Sequence, residues 1–322
     1  MTAPALGRLP GLADIQDAVA RIAPYARRTP VHPWDERQGI FLKLESLQPT
    51  GSFKVRGAAN HLSTVAGKVS GVVTASSGNH GQAVAYVAAR LGMAAVVVVP
   101  ETVPLVKAGA ITGYGAELVR CGTTMSERYD MATRLAQERG LHMVPSFDDF
   151  LVIAGQGTCG LEILEQVPDL AAVAVPASGG GLLSGVALTI KALRPQVRII
   201  GVEPINVARF AASRAAGKRV SVPSVDTVAD GLRGQKPGEL TWEATCRAVD
   251  EFVAVDDAAI LEAVRRLCVE AHLAVEPSGA ISVAALLAGL VKHRPAVAVV
   301  SGGNLDPALL ASLLTSLPAR PG

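Results

Sequence analysis

Aromatic residues are scarce in this chain, 4% of 322. That leaves little to stack on nucleobases or sugar rings. An excess of one charge is missing too. Lys and Arg number 30 against 28 Asp and Glu, the formal net charge is +2, and the signs are mixed along the chain. No basic block marks a nucleic-acid or membrane surface. The four cysteines, Cys121, Cys159, Cys246 and Cys268, lie far apart and form no CxxC pair. Neither a zinc site nor a disulfide framework is indicated, and a reducing cytoplasm fits. The longest apolar runs, such as MAAVVVVP from Met93, are too short to span a bilayer. The start, MTAPALGRLPGLADIQ, lacks the charged region and long apolar run of a signal peptide. Low-complexity linkers and fixed-period repeats are also absent, so composition alone marks no domain boundary. What is present is 49% hydrophobic and 18% charged, a globular composition long enough for two subdomains.

The hydrophobic residues are arranged with a clear alternation. Short Val/Ile/Ala runs, GVVTAS from Gly71, MAAVVVVP from Met93, AAVAVPA from Ala171, VRIIGVEP from Val197 and AVAVVSGG from Ala296, read as parallel strands covered on both faces. Between them lie amphipathic helices. HGQAVAYVAARLG (80–92) stops at Gly92, and DDAAILEAVRRLCVEAHL (256–273) opens on an Asp cap. Strand followed by helix, repeated, predicts an α/β fold with right-handed crossovers.

Three glycine-rich turns follow strands directly, where such folds place their ligands. In PASGGGLLSG, three successive glycines before a helix let backbone N–H groups converge on a phosphate. The same unit runs strand, glycine loop, helix, strand, and Glu203 ends the second strand about where a dinucleotide fold puts its ribose-binding acid. A nicotinamide-dependent oxidoreductase is therefore an alternative at this point, although Gly179 and Gly181 followed by Ser184 and Gly185 fit the fingerprint only loosely. In TASSGNHG, Ser76, Ser77, Asn79 and His80 precede a helix whose first amides suit a carboxylate. Ser77 or Asn79 could equally be a plain N-cap. In VVSGGN, Ser301 ends a strand, where its hydroxyl pairs with a ring nitrogen or satisfies a backbone carbonyl. A fourth feature is Lys54, set between Phe53 and Val55 just after a Pro-Thr-Gly-Ser turn. Apolar neighbours disfavour the ammonium form, which suits an amine that condenses with an aldehyde. An aldehyde that also carries a phosphate is pyridoxal 5′-phosphate. It employs all four features, whereas a dinucleotide leaves Lys54 and Ser301 without a task. Lys43, in the strand-like IFLKLES, is expected to point outward.

With these residues in view, the sequence resembles the threonine/serine dehydratase and serine racemase branch of the fold-type II (tryptophan synthase β-like) pyridoxal-phosphate enzymes. DIQDAVARIAPYARRTPV, LKLESLQPTGSFKVRGAAN, ASSGNHGQAVAYVAARLG, IAGQGTCGLEIL, VPASGGGLLSGVA, GVEP, VADGL, VEPSGAISVAALL and SGGN occur in the family's order over nearly all the chain. The resemblance implies two open, twisted, mostly parallel sheets flanked by helices. A large domain would comprise 1–70 and 149–322, with a small mobile domain at 71–148 and no C-terminal regulatory domain. It implies that Lys54 carries the cofactor, Phe53 lies beside its ring and Asn79 binds its phenolic oxygen. Ser178, Gly179, Gly180, Gly181 and Leu182 would cup the phosphate, with Ser178 standing where the family usually has a fourth glycine. Ser301 would face the ring nitrogen. Ser76, Ser77, Asn79 and His80 would hold the substrate carboxylate. Arg128 matches a position that can reach a distal carboxylate, or is a solvated helix arginine. Racemase-like relatives hold a divalent cation, for which Glu203 and the Val207 carbonyl are the candidates here; Arg209 stands where the second acid would be, so no metal is expected.

The resemblance implies a cytoplasmic enzyme, a homodimer, acting on a small amino acid. A neutral hydroxyl at the ring nitrogen leaves that nitrogen largely unprotonated, which favours expulsion of a β-hydroxyl over prolonged charge at Cα. The expected activity is an ammonia-lyase (dehydratase) making a 2-keto acid and ammonia. Serine racemase and 3-hydroxyaspartate dehydratase are the alternatives, and Ser77 is the residue that could act from the face opposite Lys54.

Overall fold

A computed structural model describes residues 7–76, 78–223 and 225–315. Its strands, in chain order, are β1 (Val31–Asp35), β2 (Ile40–Leu44), β3 (Gly71–Ala75), β4 (Ala94–Val99), β5 (Glu117–Arg120), β6 (His142–Met143), β7 (Ala172–Pro176), β8 (Arg198–Pro204), β9 (Glu251–Val255) and β10 (Ala296–Val300). The five apolar runs read from the sequence are β3, β4, β7, β8 and β10. They form two sheets. The larger has the order β1-β2-β10-β7-β8-β9, parallel except for the β1/β2 pair, and the smaller, β5-β4-β3-β6, is wholly parallel.

Uninterrupted apolar runs form these strands because both faces are covered. In β10, Ala296, Ala298 and Val300 pack into one core while Val297 and Val299 pack into another. Along β4 the split recurs: Ala95, Val97 and Val99 face one way, Val96 and Val98 the other. Period-two geometry sends neighbours to opposite faces, and helices bury each face in turn. Small residues in the strands let those helices approach closely.

The helix Asn79–Arg90 follows β3, and its cap position is held by Gly78 with no side-chain bond, so Asn79 is not spent as a cap. The expected cap at Asp256 is present, its carboxylate accepting from the Ala259 N–H at 2.8 Å. Lys43 departs from expectation. It is fully buried and donates to the Thr29 carbonyl, Glu162 and Gln166 at 2.6, 2.6 and 2.9 Å. A strand covered on both faces has no outward side, so a charge there must be paired.

That lysine belongs to a buried ionic network which fixes the start of the helix Lys54–Val65. Arg56, with no exposure, grips Glu45 through two 2.7 Å bonds and Glu162 through bonds of 2.7 and 2.8 Å. Burial alone would raise the Glu45 pKa; Arg56 beside it overrides that and lowers it. The same helix lies backbone to backbone on the helix Phe150–Gln166, where a Cβ on Gly155 would stand 2.6 Å from the Arg56 carbonyl oxygen. Lys54 is therefore mounted on a helix held both by a buried ion network and by a close backbone contact.

Candidate active site

The turn before Lys54 is laced to the end of β10. The Phe53 N–H donates to the Ser301 carbonyl at 3.0 Å, Ser52 bridges Gly302, and the Gly303 N–H donates to the Gly51 carbonyl at 2.8 Å. Lys54 and Ser301, 247 residues apart in the chain, are thus brought to one place by backbone bonds alone. The Lys54 amine is buried and donates to the Ser146 carbonyl at 2.7 Å, with Phe53's ring centroid 5.4 Å away. Burial pulls its pKa down from 10.5 to about 8.

Ser146 leads to Phe147, and Phe147 lies against the glycine loop. A Cβ on Gly179 would collide with its ring, and one on Gly181 would come within 3.1 Å of its backbone. Gly180 has φ 99°, a conformation that side chains resist, and the helix Gly181–Leu193 begins immediately after it. The first-turn amides of that helix lack intrahelical partners. Thr241 steadies the loop by donating to the Gly179 carbonyl at 2.7 Å. Ser178 is partly exposed; Leu182 is buried in the core below. The result is a cradle whose own residues 179–181 carry no side chains, backed by Phe147 and Thr241 and opening on the free amides of a helix N-terminus, which suit a phosphate.

Asn79 faces the same region from the other sheet. Its Nδ2 donates to Glu276 at 2.6 Å and its Oδ1 accepts from Asn304 at 2.6 Å. His80 is buried, and desolvation, then Lys54, drop its pKa to about 3. It is a neutral imidazole whose Nε2–H donates to the Val144 carbonyl at 3.3 Å, leaving Nδ1 with its lone pair. Ser76 accepts from the Gly78 N–H at 3.3 Å. Ser77 lies outside the described residues. The Ser301 hydroxyl donates to the Ser278 carbonyl at 3.3 Å, the bond that sequence alone left open beside a ring nitrogen.

Three candidates read from the sequence stand apart from this cluster in their bonding. Arg128 is buried rather than solvated; it donates to the Thr123 carbonyl at 3.2 Å and to Met125 Sδ at 3.8 Å, and its Nε has no partner. Both oxygens of Glu203 accept from backbone N–H groups, of Phe210 and Ala211, each at 2.9 Å. A carboxylate so buried and so occupied offers nothing to a ribose, which removes the dinucleotide reading of that strand end. The Val207 carbonyl accepts from Arg209 Nε at 2.9 Å, and the same guanidinium donates to the Ala177 and Leu232 carbonyls at 3.1 and 2.7 Å. Arg209 is fully buried, with Nε 3.8 Å from Glu203. Among the described residues no three His, Cys, Asp or Glu side chains are grouped to hold a metal.

A family model described as "Pyridoxal-phosphate dependent enzyme" matches residues 22–302. The chain belongs to this family. Its cofactor is pyridoxal phosphate, and the cradle, the buried amine and the neutral serine fit that molecule's phosphate, aldehyde and ring. The serine racemase of Oryza sativa subsp. indica is 41% identical over 309 residues, 91% of this chain and 90% of that protein. The L-threonine ammonia-lyase of Thermotoga maritima is 45% identical over 271 residues, 83% of this chain and 67% of that protein. Maize serine racemase superposes with a TM-score of 0.90 at 39% identity, covering 96% of this chain and 98% of that one. The fold-type II architecture expected from the sequence is therefore the one present.

Sequence reasoning assigns no role to Glu276, Asn304 or Phe147. Glu276 sits in VEPSGA, directly before the proline that opens the helix Pro277–Leu287. An acid there reads as a helix-start residue, and nothing local says that it faces Asn79 across the molecule. No helix among the described residues is long and apolar enough to cross a membrane.

Proposed function

We propose that this pyridoxal-phosphate enzyme is a threonine/serine ammonia-lyase, converting a β-hydroxy amino acid to a 2-keto acid and ammonia. The observation that carries the reading is Lys54. Its amine is buried, lowered to about 8, and joined through its own turn to a serine, not a carboxylate, at the end of β10. Bound there, the cofactor would supply an aldehyde for the substrate's amino group and a conjugated ring that draws electrons from Cα.

The chain's own residues do the rest. Amides at 179–182 hold the phosphate, and Asn79 donates to the phenolic oxygen. Amides and hydroxyls of the 76–80 loop hold the substrate carboxylate, with His80 kept neutral so that it adds no charge. Lys54 Nζ takes the α-proton. The β C–O bond breaks as the hydroxyl takes up a proton and leaves as water, so that this water accounts for the α-proton and the hydroxyl together. The enamine then tautomerises to an imine, which a second water hydrolyses to keto acid and ammonia. A positioned proton transfer of this kind accelerates reactions by roughly 10²–10⁴. We place the smaller unit at 71–148, which contains the whole β5-β4-β3-β6 sheet. We also propose a cytoplasmic homodimer, with the exposed Leu105 and Val106 as apolar surface for a second copy; sedimentation of the holoenzyme tests the dimer.

A second reading, serine racemase, is favoured by Ser77 in the ASSGNH loop and by relatives bearing that name. A panel of L- and D-serine, L-threonine and both 3-hydroxyaspartate diastereomers, scored for keto acid and for chirality, separates the two. Keto acid from L-threonine or L-serine without D-serine supports the lyase; D-serine as the main product overturns it. In the racemase case Ser77→Ala abolishes handling of the D-enantiomer while sparing dehydration of the L-substrate.

A further inference from the structure

The amide of Asn79 is clamped from both sides, and the clamp has a direction. The Thr50 carbonyl can only accept, and it takes a 3.0 Å bond from Asn304 Nδ2. The same nitrogen donates to Asn79 at 2.6 Å, so the Asn79 atom facing it is the oxygen. Asn79 Nδ2 then faces Glu276, at 2.6 Å. A turned amide would set its oxygen against a carboxyl oxygen and its NH₂ against another NH₂. Glu276 itself has little freedom, because a Cβ on neighbouring Gly302 would collide with its Oε1 and its residue exposure is only 7%.

We propose that Glu276 is a positioning residue: with Asn304 it locks the Asn79 amide so that one Nδ2–H is spent on the carboxyl and the other is presented to the cofactor's phenolic oxygen. This rests on the pyridoxal-phosphate site described above. The carboxyl is pushed up to about 7 by burial, with the Asn79 bond lowering it, Asp230 raising it and Lys107 lowering it. Ionised or neutral, it keeps an acceptor oxygen for Nδ2, so the lock holds on both sides of neutrality. Glutamine at this position keeps that acceptor; alanine removes it.

The test is the absorption spectrum of the bound cofactor, with its dissociation constant. Wild type, Glu276→Gln, Glu276→Ala, Asn304→Ala and Asn79→Ala are compared after loading with pyridoxal phosphate. The long-wavelength band, which needs a stabilised anionic phenolic oxygen, should persist in Glu276→Gln. In Glu276→Ala and in Asn304→Ala it should give way to near-ultraviolet absorption, with the Kd raised about tenfold for one lost charge-assisted bond. In the Asn79→Ala background, Glu276→Ala should change the spectrum no further. Alanine variants with the wild-type band and affinity would overturn the positioning role while leaving the cofactor site standing. A wild-type protein that shows no cofactor band at all would overturn both.

Discussion

At the residue scale, Lys54 is decided by burial. One of eight lysines, it is the one placed between a phenylalanine and a valine, and the fold carries that local hint to its conclusion. Its amine sits near 8, whereas in the unfolded chain it would keep its proton up to about 10.5. Between those values the unfolded state binds more protons, so the cofactor-free protein gains stability as pH rises from about 8 to 10.5 and loses it as pH falls through 8. Only the neutral amine attacks an aldehyde, so the rate of cofactor loading should rise with a midpoint near pH 8 in stopped-flow absorbance. Lys54→Ala should leave a folded chain that binds cofactor poorly and loses nearly all turnover; retained turnover would point to another lysine. Arg209 and two backbone amides occupy the oxygens that a cation at this place would need, those of Glu203 and Val207. Burial, partly offset by Glu203, lowers that guanidinium to about 10, still charged at neutral pH. Activity of the holoenzyme should therefore ignore chelator and added magnesium; strong inhibition by chelator that magnesium reverses would refute that reading.

At the element scale, the parallel strands and the glycine loops are legible because each is written locally. A strand buried on both faces must be apolar throughout, and a phosphate loop must lack side chains. Partnerships across the chain are not legible in this way. Lys43 reads as a charge in a strand-like run, and only the helix Phe150–Gln166 on top of it turns it into a buried pair with Glu162 at 2.6 Å. Glu276 lies inside a family motif and still gives no sign of its task, since its partner Asn79 is 197 positions away. Arg56 makes the cost of such a partnership measurable. Replaced by leucine, it would leave Glu45 and Glu162 without their guanidinium, and breaking a buried ion pair costs about 3–5 kcal/mol. Urea unfolding of Arg56→Leu should show a loss of that size. Lysine should rescue little, because one ammonium cannot supply the forked bonds that both carboxylates receive. A loss under about 1 kcal/mol would mean that the network is replaceable and that Lys54's helix is held chiefly by its backbone contact at Gly155.

At the scale of the whole molecule, one polar contact that ties the smaller sheet to its surroundings titrates. His142 belongs to β6 of that sheet, while His61 lies on the helix that begins at Lys54. Their Nε2 atoms are 2.8 Å apart, and His61 Nδ1 lies 2.9 Å from Asp149, the cap of the helix Phe150–Gln166. An N···N contact of that length holds one proton. With His61 donating to Asp149, His142 donates to His61 through Nε2–H, and a further proton on His142 goes to its Nδ1, which leaves that bond in place and puts a charge on a part-buried ring. Burial, then His61, lower the His142 pKa below its ordinary 6.5, with Asp149 pulling the other way. The unfolded chain therefore takes up the proton first on acidification, so stability is full above pH 6.5 and is lost as pH falls through the lowered value. Protons have access, because His142 also lines an open surface hollow with Tyr129 and Gln137. In His142→Gln the amide still reaches His61 but does not titrate. Thermal melts below about pH 6.5 should fall more steeply for wild type than for this variant, while the two differ little in slope above it. Parallel slopes through the acid range would place the acid sensitivity elsewhere, among carboxylates such as Glu45 that lose their partners when protonated. Converging melts would make the charging of His142, at the contact between the smaller sheet and the helix that carries Lys54, the first cost that acid imposes.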